Sequence, residues 1–240
     1  MKQLHFILLF WLVAPLLQAQ TENANNLIRD VDGRLNMGSY MTSAFDSRYE
    51  GIKGSPFFIS TWSKGTMIFA DGRVFKEVPL KYNAYTKELI MKRPSGDSLI
   101  VFPYQVQAFV INDTLTKAEF VFRRYPNAQT PKQDFREVYF LSLYEGKNNS
   151  LVKLVRKNLK KADYKDPYSN DVRYDTYEDA NEYYLLKNNS QMLKIKRNKK
   201  SVLEALADKK NEIKALIDQK KWEFKKEEEL ISAIVEYDAL

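Results

Sequence analysis

The sequence predicts a mainly β protein, an antiparallel sheet curled toward a barrel or sandwich, with a C-terminal two-helix hairpin. Three observations support this fold class. From Phe57 to Lys200 the chain consists of short runs rich in Ile, Val, Phe and Tyr that turn residues separate, a pattern typical of consecutive antiparallel strands. Several of these runs alternate apolar and polar residues, as half-buried strands do. After Lys200 the apolar residues recur at helical spacing.

The first element is predicted to be a secretory signal peptide at residues 1–19. It has one lysine, Lys2, and an apolar run from Phe6 to Leu17 that contains Pro15. This run is short against the roughly 20 residues of a bilayer-spanning helix, which is the argument against the alternative, an uncleaved membrane anchor. Cleavage near Ala19 predicts an exported protein of the periplasm or cell surface with no transmembrane anchor.

Removal of the signal peptide leaves no cysteine and no histidine, because the one histidine of the chain is His5. This excludes thiolate and imidazole catalysis and removes the commonest transition-metal ligand. The remaining sequence also has no phosphate-binding glycine loop and no nucleophile elbow. We therefore predict no catalytic residue, no bound metal and no cofactor.

Charge is distributed unevenly along the chain. Without Lys2 there are 37 basic and 31 acidic residues, a net charge of +6. Residues 151–226 hold 20 basic and 12 acidic side chains, whereas residues 227–240 hold five acids and no base. A basic stripe attracts nucleic acid or an anionic membrane. An exported protein seldom meets nucleic acid, so we predict no nucleic-acid partner and interpret most of these lysines as a solvated face.

Residues 20–56 are polar with scattered glycines and predict a leader into the fold. The antiparallel β domain is predicted at residues 57–200. Its clearest hairpin joins Thr66–Ala70 to Arg73–Val78 through Asp71-Gly72, a pair that suits a type I′ turn with positive φ at both positions. Further strands are predicted at residues 88–92, 99–102, 105–111, 119–124, 136–144, 151–157, 183–187 and 192–197.

The helical hairpin is predicted at residues 201–240, packed on the β domain. Ser201 and Glu204 have the spacing of a capping box at the first helix start. The run Trp222-Glu223-Phe224 is predicted to form the turn. A second helix follows from about Lys226, with Glu227–Glu229 in its first turn, where the helix dipole favours negative charge.

The most unusual stretch runs from Tyr164 to Tyr184, where six tyrosines alternate with six acids. Aromatic faces beside carboxylates bind sugars, and clustered acids bind calcium, although this stretch lacks the glycine of the standard calcium loop. A connecting loop anchored over the sheet by its own tyrosines is the simpler interpretation. Tyr168, Tyr174 and Tyr177 are the predicted partner-binding residues.

Three functions follow from these features. The leading hypothesis is an exported, non-enzymatic envelope protein that binds another envelope component, a protein or a glycan, through an exposed sheet face, the tyrosine-acid stretch or the basic stripe. The alternative is a barrel that binds a small apolar or glycan ligand, in which Phe57, Phe58, Trp62 and Phe69 line the cavity instead of packing as core. A carboxylate-based hydrolase is the second alternative and requires two acids that converge in a cleft.

Four short runs carry a resemblance: Gly54–Phe58, Trp62–Gly65, Asp71-Gly72 and Val78–Asn83. Together with the Lys-rich C-terminal helices, they resemble a group of uncharacterised exported bacterial envelope proteins. The resemblance covers most of the chain after the signal peptide, and its motifs are turn and core residues. It implies an envelope location and transfers no functional residue.

Overall fold

The computed structural model describes residues 52–162, 174–188 and 190–240, so the predicted signal peptide and most of the predicted leader lie outside the described residues. The described chain is mainly β with C-terminal helices, which confirms the predicted fold class. The strands are β1 (Ser63–Phe69), β2 (Val74–Asn83), β3 (Glu88–Lys92), β4 (Ser98–Val101), β5 (Val106–Asn112), β6 (Glu119–Arg123), β7 (Phe140–Glu145), β8 (Ser150–Leu154), β9 (Lys157–Lys160), β10 (Thr176–Asp179), β11 (Glu182–Lys187) and β12 (Gln191–Ile195). The α-helices are α1 (Lys199–Ala205), α2 (Lys210–Lys220) and α3 (Glu227–Ala239).

Ten strands form one antiparallel sheet in the order β12-β11-β8-β7-β6-β5-β1-β2-β3-β4. The chain runs as a meander from β1 to β4, returns to the other side of β1 with β5, and continues as a second meander to β8. β9 and β10 pair as a separate two-stranded ribbon before the chain rejoins the sheet at β11. Within the described residues the end strands β4 and β12 do not pair with each other, so the sheet is open and not closed into a barrel.

Most predicted strands lie within a few residues of the observed ones, and β3 has the predicted bounds. Two elements differ. Residues 133–136, just before β7, form a 3-10 helix that buries Phe135. The ribbon of β9 and β10 lies partly in the stretch that the sequence predicts as a loop. Its strands were not predicted because they contain mostly lysine and acidic residues with few apolar side chains, and only Tyr177 is buried in them.

The turn between β1 and β2 is also different from the predicted type I′ turn. Gly72 has a φ of 89°, but Asp71 is not among the residues with positive φ in the described chain. The Asp71 carboxylate instead accepts a hydrogen bond from the Arg73 N–H (3.1 Å), and the Phe69 N–H donates to the Arg73 carbonyl (2.9 Å). The aspartate therefore stabilises a longer turn through its side chain.

One half of the sheet, β1–β6, buries mainly its inner face. Met67, Phe109 and Phe122 are fully buried there, and the Phe109 and Phe122 rings stack with centroids 4.7 Å apart. The outer face of this half holds partly exposed residues in cross-strand rows, such as Lys81 on β2 and Ile90 on β3. We call β1–β6 the open half.

The other half, β7, β8, β11 and β12, is covered on both faces, and we call it the covered half. On one face Leu151, Leu185 and Ile195 pack against apolar residues of all three α-helices. On the opposite face Phe140 and Tyr184 pack beneath Phe135 of the 3-10 helix, with ring centroids 5.5 and 5.3 Å from the Phe135 ring. The helices thus cover one face of this part of the sheet.

The C-terminal segment forms three helices instead of the predicted two-helix hairpin, because a 3-10 turn at Ala207–Lys209 separates α1 from α2. The predicted capping box of Ser201 and Glu204 is wrong. Asn198 caps α1 one turn earlier, since its side chain accepts from the Ser201 N–H (2.9 Å), while the Ser201 hydroxyl accepts from the Lys196 N–H (2.9 Å). The predicted turn around Trp222 is confirmed.

Candidate functional site

The structure places two of the three predicted partner-binding tyrosines, and Tyr168 lies outside the described residues. Tyr177 on β10 is 8% exposed, and its ring packs edge-on against Tyr85 with centroids 5.3 Å apart. Tyr174 is 42% exposed, and the Lys53 ammonium lies 4.6 Å from the centroid of its ring. Tyr174 is therefore accessible to a partner, whereas most of the Tyr177 surface stabilises the ribbon.

The segment before β1 holds this tyrosine pair in place. The Lys53 N–H donates to the Asp175 carbonyl (2.8 Å), and the Tyr177 N–H donates to the Lys53 carbonyl (3.0 Å). Gly54 follows with a φ of 84°, and a side chain there would press on the Tyr177 backbone. Partner binding by these tyrosines stays a prediction.

A cleft of about 440 Å³ opens where β10 turns into β11 and where β12 ends. We call it the corner cleft. Two backbone contacts shape it, since the Ala180 N–H donates to the Arg156 carbonyl (2.9 Å) and the Arg156 N–H donates to the Asn181 side chain (3.0 Å). Its lining consists mainly of polar and charged residues: Asp179, Ala180, Asn181, Glu182, Tyr183, Lys194, Ile195, Lys196 and Arg197.

Glu182 is the best-satisfied charge of the corner cleft. One carboxylate oxygen accepts from Arg156 Nη1 (2.9 Å), and the other accepts from Lys194 Nζ (2.9 Å) and from the Tyr184 hydroxyl. Burial raises the pKa of Glu182, but the hydrogen bonds from Tyr184 and Lys194 outweigh burial and lower this pKa below its usual value. Glu182 is therefore an ionised structural anchor at neutral pH.

Tyr183 and Arg197 form one wall of the cleft. The Tyr183 hydroxyl donates to the Glu227 carboxylate (2.7 Å) at the start of α3, and this carboxylate also forms an ion pair with Lys153 (2.7 Å). The Arg197 guanidinium lies 5.6 Å from the centroid of the Tyr183 ring, and its Nη1 donates to the Lys225 carbonyl (3.0 Å). Neutral groups thus position the Arg197 side chain.

The charges of the cleft do not balance. Glu182 is paired with Arg156 and Lys194, and the Asp179 carboxylate lies 3.5 Å from Lys157 Nζ. Lys196 and Arg197 are exposed, and among the described residues neither has a carboxylate partner. Two cations that line one cleft without a carboxylate partner attract an anionic group.

Sequence reasoning did not find the corner cleft because its lining comes from two segments, residues 179–183 and 194–197, that strand pairing brings together. The local signal was the run Lys194–Arg197, in which three of four residues are basic, within the basic stretch of residues 151–226. The sequence showed Lys194 and Lys196 on one face of a strand. It did not show that this face meets the turn between β10 and β11.

No family model, curated protein or solved structure matches this chain. The chemistry of the cleft therefore rests on its own residues. In the part of the chain that the structure describes, no helix has the length and apolar character needed to cross a membrane. Nor do three or more acids gather there in a way that would hold a metal ion.

Proposed function

We propose that this chain is an exported, non-enzymatic bacterial envelope protein that binds an anionic group of another envelope component in the corner cleft. One observation carries the proposal: Lys196 and Arg197 both line the cleft and are exposed, and neither has a carboxylate partner among the described residues. A carboxylate or phosphate of the partner would supply the missing negative charge.

Arg197 is suited to direct contact with such a group. Its guanidinium has five N–H donors, and the Lys225 carbonyl and the Tyr183 ring engage it from the protein side. The remaining donors can bind a carboxylate or phosphate through two parallel hydrogen bonds. Because the side chain is already positioned, binding loses less conformational entropy.

The acids of the cleft support binding over acid-base chemistry. A general acid at neutral pH needs a raised pKa, whereas the pKa of Glu182 is lowered. Asp179 is largely exposed and lies near Lys157. The packed inner face of the open half, filled by residues such as Phe109 and Phe122, likewise gives little support to a ligand held inside the strands.

The test measures binding of a fluorescein-labelled hexaglutamate peptide, a probe that carries only carboxylates, to the full chain without its signal peptide. We expect the double variant Lys196→Gln, Arg197→Gln to bind at least about tenfold more weakly, because a hydrogen bond to a charged group contributes about 1.5–3 kcal/mol. The matched control is Lys210→Gln, Lys214→Gln, which removes the same charge from exposed positions of α2.

The control should bind within about twofold of the unmodified chain, since it changes net charge without touching the cleft. Equal loss of affinity in both double variants would show attraction by net charge alone and would contradict the proposal. So would unchanged binding in the cleft variant, with both proteins shown by circular dichroism to be folded.

A further inference from the structure

A second group of unbalanced cations lies on the outer face of the open half. Lys81 is on β2 between Leu80 and Tyr82, which are fully buried on the inner face, so strand alternation turns Lys81 outward. Trp62 directly precedes Ser63, the partner of Leu80, and therefore lies beside Lys81 on the same outer face. Phe57 pairs through its backbone with Asn83 at the end of β2.

Two aromatic rings hold the Lys81 ammonium. Its Nζ lies 4.7 Å from the centroid of the Phe57 ring and 5.1 Å from the centroid of the Trp62 ring. Both distances are within the range of a cation–π attraction, which favours the charged ammonium. Phe57 and Trp62 are themselves only partly buried, so part of each ring faces solvent.

Lys92 adds a second positive charge. Lys81 pairs with Ile90 across β2 and β3, and Lys92 follows two residues later on the same face. Within the described residues neither Lys81 nor Lys92 forms an ion pair, and Glu77 is paired with Lys64 (2.8 Å). Burial and then the charge of Lys92 lower the pKa of Lys81, as expected for a cation without a counter-ion.

We propose that Phe57, Trp62, Lys81 and Lys92, here called the outer-face platform, bind an acidic sugar residue of a polysaccharide. The partly exposed ring faces are electron-rich and can pack against the C–H face of a pyranose ring. The Lys81 ammonium lies beside these rings, and Lys92 adds a second positive charge on the same sheet face. Together they would bind a carboxylate or sulfate on the same sugar. An open sheet face, unlike a closed pocket, also lets the polymer continue in both directions.

Charge complementarity favours this occupant over a lipid surface. A membrane-binding face needs apolar side chains that project beyond the cations, whereas the neighbouring Ile90 and Ile100 are partly buried and lie in the same cross-strand row as Lys81. The inference is independent of the corner cleft, because the two sites share no residue. Each can fail without the other.

The test uses the full chain without its signal peptide and two acidic probes, an oligogalacturonate and a heparin hexasaccharide, with a neutral dextran oligosaccharide as the reference. We expect at least one acidic probe to bind and dextran not to bind. Trp62→Ala should weaken that binding at least tenfold, and so should the milder double variant Lys81→Gln, Lys92→Gln, which preserves the aromatic rings.

Two matched controls separate the platform from net charge and from the cleft. Lys210→Gln, Lys214→Gln and Lys196→Gln, Arg197→Gln should each keep sugar binding within about twofold. The inference is overturned if neither acidic probe binds, if the platform variants bind as well as the unmodified chain, or if the chain binds vesicles of phosphatidylglycerol and phosphatidylcholine but no acidic sugar.

Discussion

The open half and the covered half are built from the same kind of strand but differ in how many faces they bury. In β3 of the open half burial alternates, with Leu89 and Met91 inside and Ile90 partly exposed. In β11 of the covered half four consecutive residues, Tyr183–Leu186, are buried. Strands that are buried on both faces have continuous apolar sequences, whereas strands with one solvent-exposed face alternate apolar and polar residues. Coverage therefore decides where the molecule has surface left for a partner.

The two candidate sites follow this division. The outer-face platform uses the free face of the open half. The corner cleft lies at the margin of the covered half, where the sheet ends and its charged residues emerge beside the helices. Glu227 of α3 holds Tyr183 in the cleft wall, so the helical layer also positions the site.

The largest expected effect tests the difference in coverage directly. Leu185→Ala and Leu186→Ala are adjacent on β11, and each should lower the free energy of unfolding by about 2–5 kcal/mol, because both faces are packed. Of the neighbouring β3 residues Leu89 and Ile90, only Leu89→Ala should have an effect of this size. Ile90→Ala, on the partly exposed face, should cost about 1 kcal/mol or less. Urea denaturation of the four variants measures this, and equal losses for Leu89→Ala and Ile90→Ala would refute the one-sided description.

A smaller effect is expected from the contact that joins the last helix to the covered half. The Asp238 carboxylate of α3 accepts from the Asn149 side chain (2.6 Å), the Lys147 N–H (3.0 Å) and the Tyr144 hydroxyl (3.1 Å). Gly146 makes room for it, since a Cβ there would collide with this carboxylate. Asp238→Ala should lower the free energy of unfolding by about 1.5–3 kcal/mol, as expected for hydrogen bonds to a charged group.

The control for Asp238→Ala is Glu236→Ala on the same helix, whose side chain has no such role and should change stability by less than about 0.5 kcal/mol. Thermal unfolding of both variants gives the comparison. If the two substitutions are equivalent, the Asp238 contact does not stabilise the helical layer.

The smallest expected effect concerns the pH dependence of the free energy of unfolding, which should differ between a carboxylate of the covered half and one of the open half. The pKa of Glu182 is lowered in the folded state, so the unfolded state binds more protons as the pH falls. The stability that Glu182 contributes is present above its unfolded pKa of about 4.3 and is lost as the pH falls through its lower folded pKa. Glu182→Gln should therefore be less stable than the unmodified chain at pH 6 and should lose less stability between pH 6 and pH 3.

Asp97, in the turn between β3 and β4 of the open half, is the matched carboxylate. Hydrogen bonds from Arg93 and Ser95 lower its pKa to about 2, but it lies at the solvent-exposed surface. Water screens such a pair, so Asp97→Asn should alter the pH dependence less than Glu182→Gln does. Urea midpoints at several pH values measure both, and a larger change for Asp97→Asn would reverse the expected ranking.

The strands were predictable because their signal is local. Alternation in runs such as Glu88–Lys92 and turn residues such as Gly72 depend on neighbours a few positions away. The ribbon of β9 and β10 was missed because its residues carry little apolar alternation and are ordered by pairing with each other and with Lys53. The cap of α1 was misplaced because Asn198 and Ser201 are both good capping residues, and the backbone entry from β12 selects the first.

The sequence by itself determined the antiparallel strands, the C-terminal change to helices and the excess of basic residues, since periodicity and composition are properties of short segments. Only the tertiary structure decided the strand order, the open edges, the two-sided cover over one half and the grouping of charges into a cleft and a platform. Those features depend on contacts between distant segments, such as Trp62 with Lys81 and Tyr183 with Glu227. No local sequence pattern contains the free energy of such contacts.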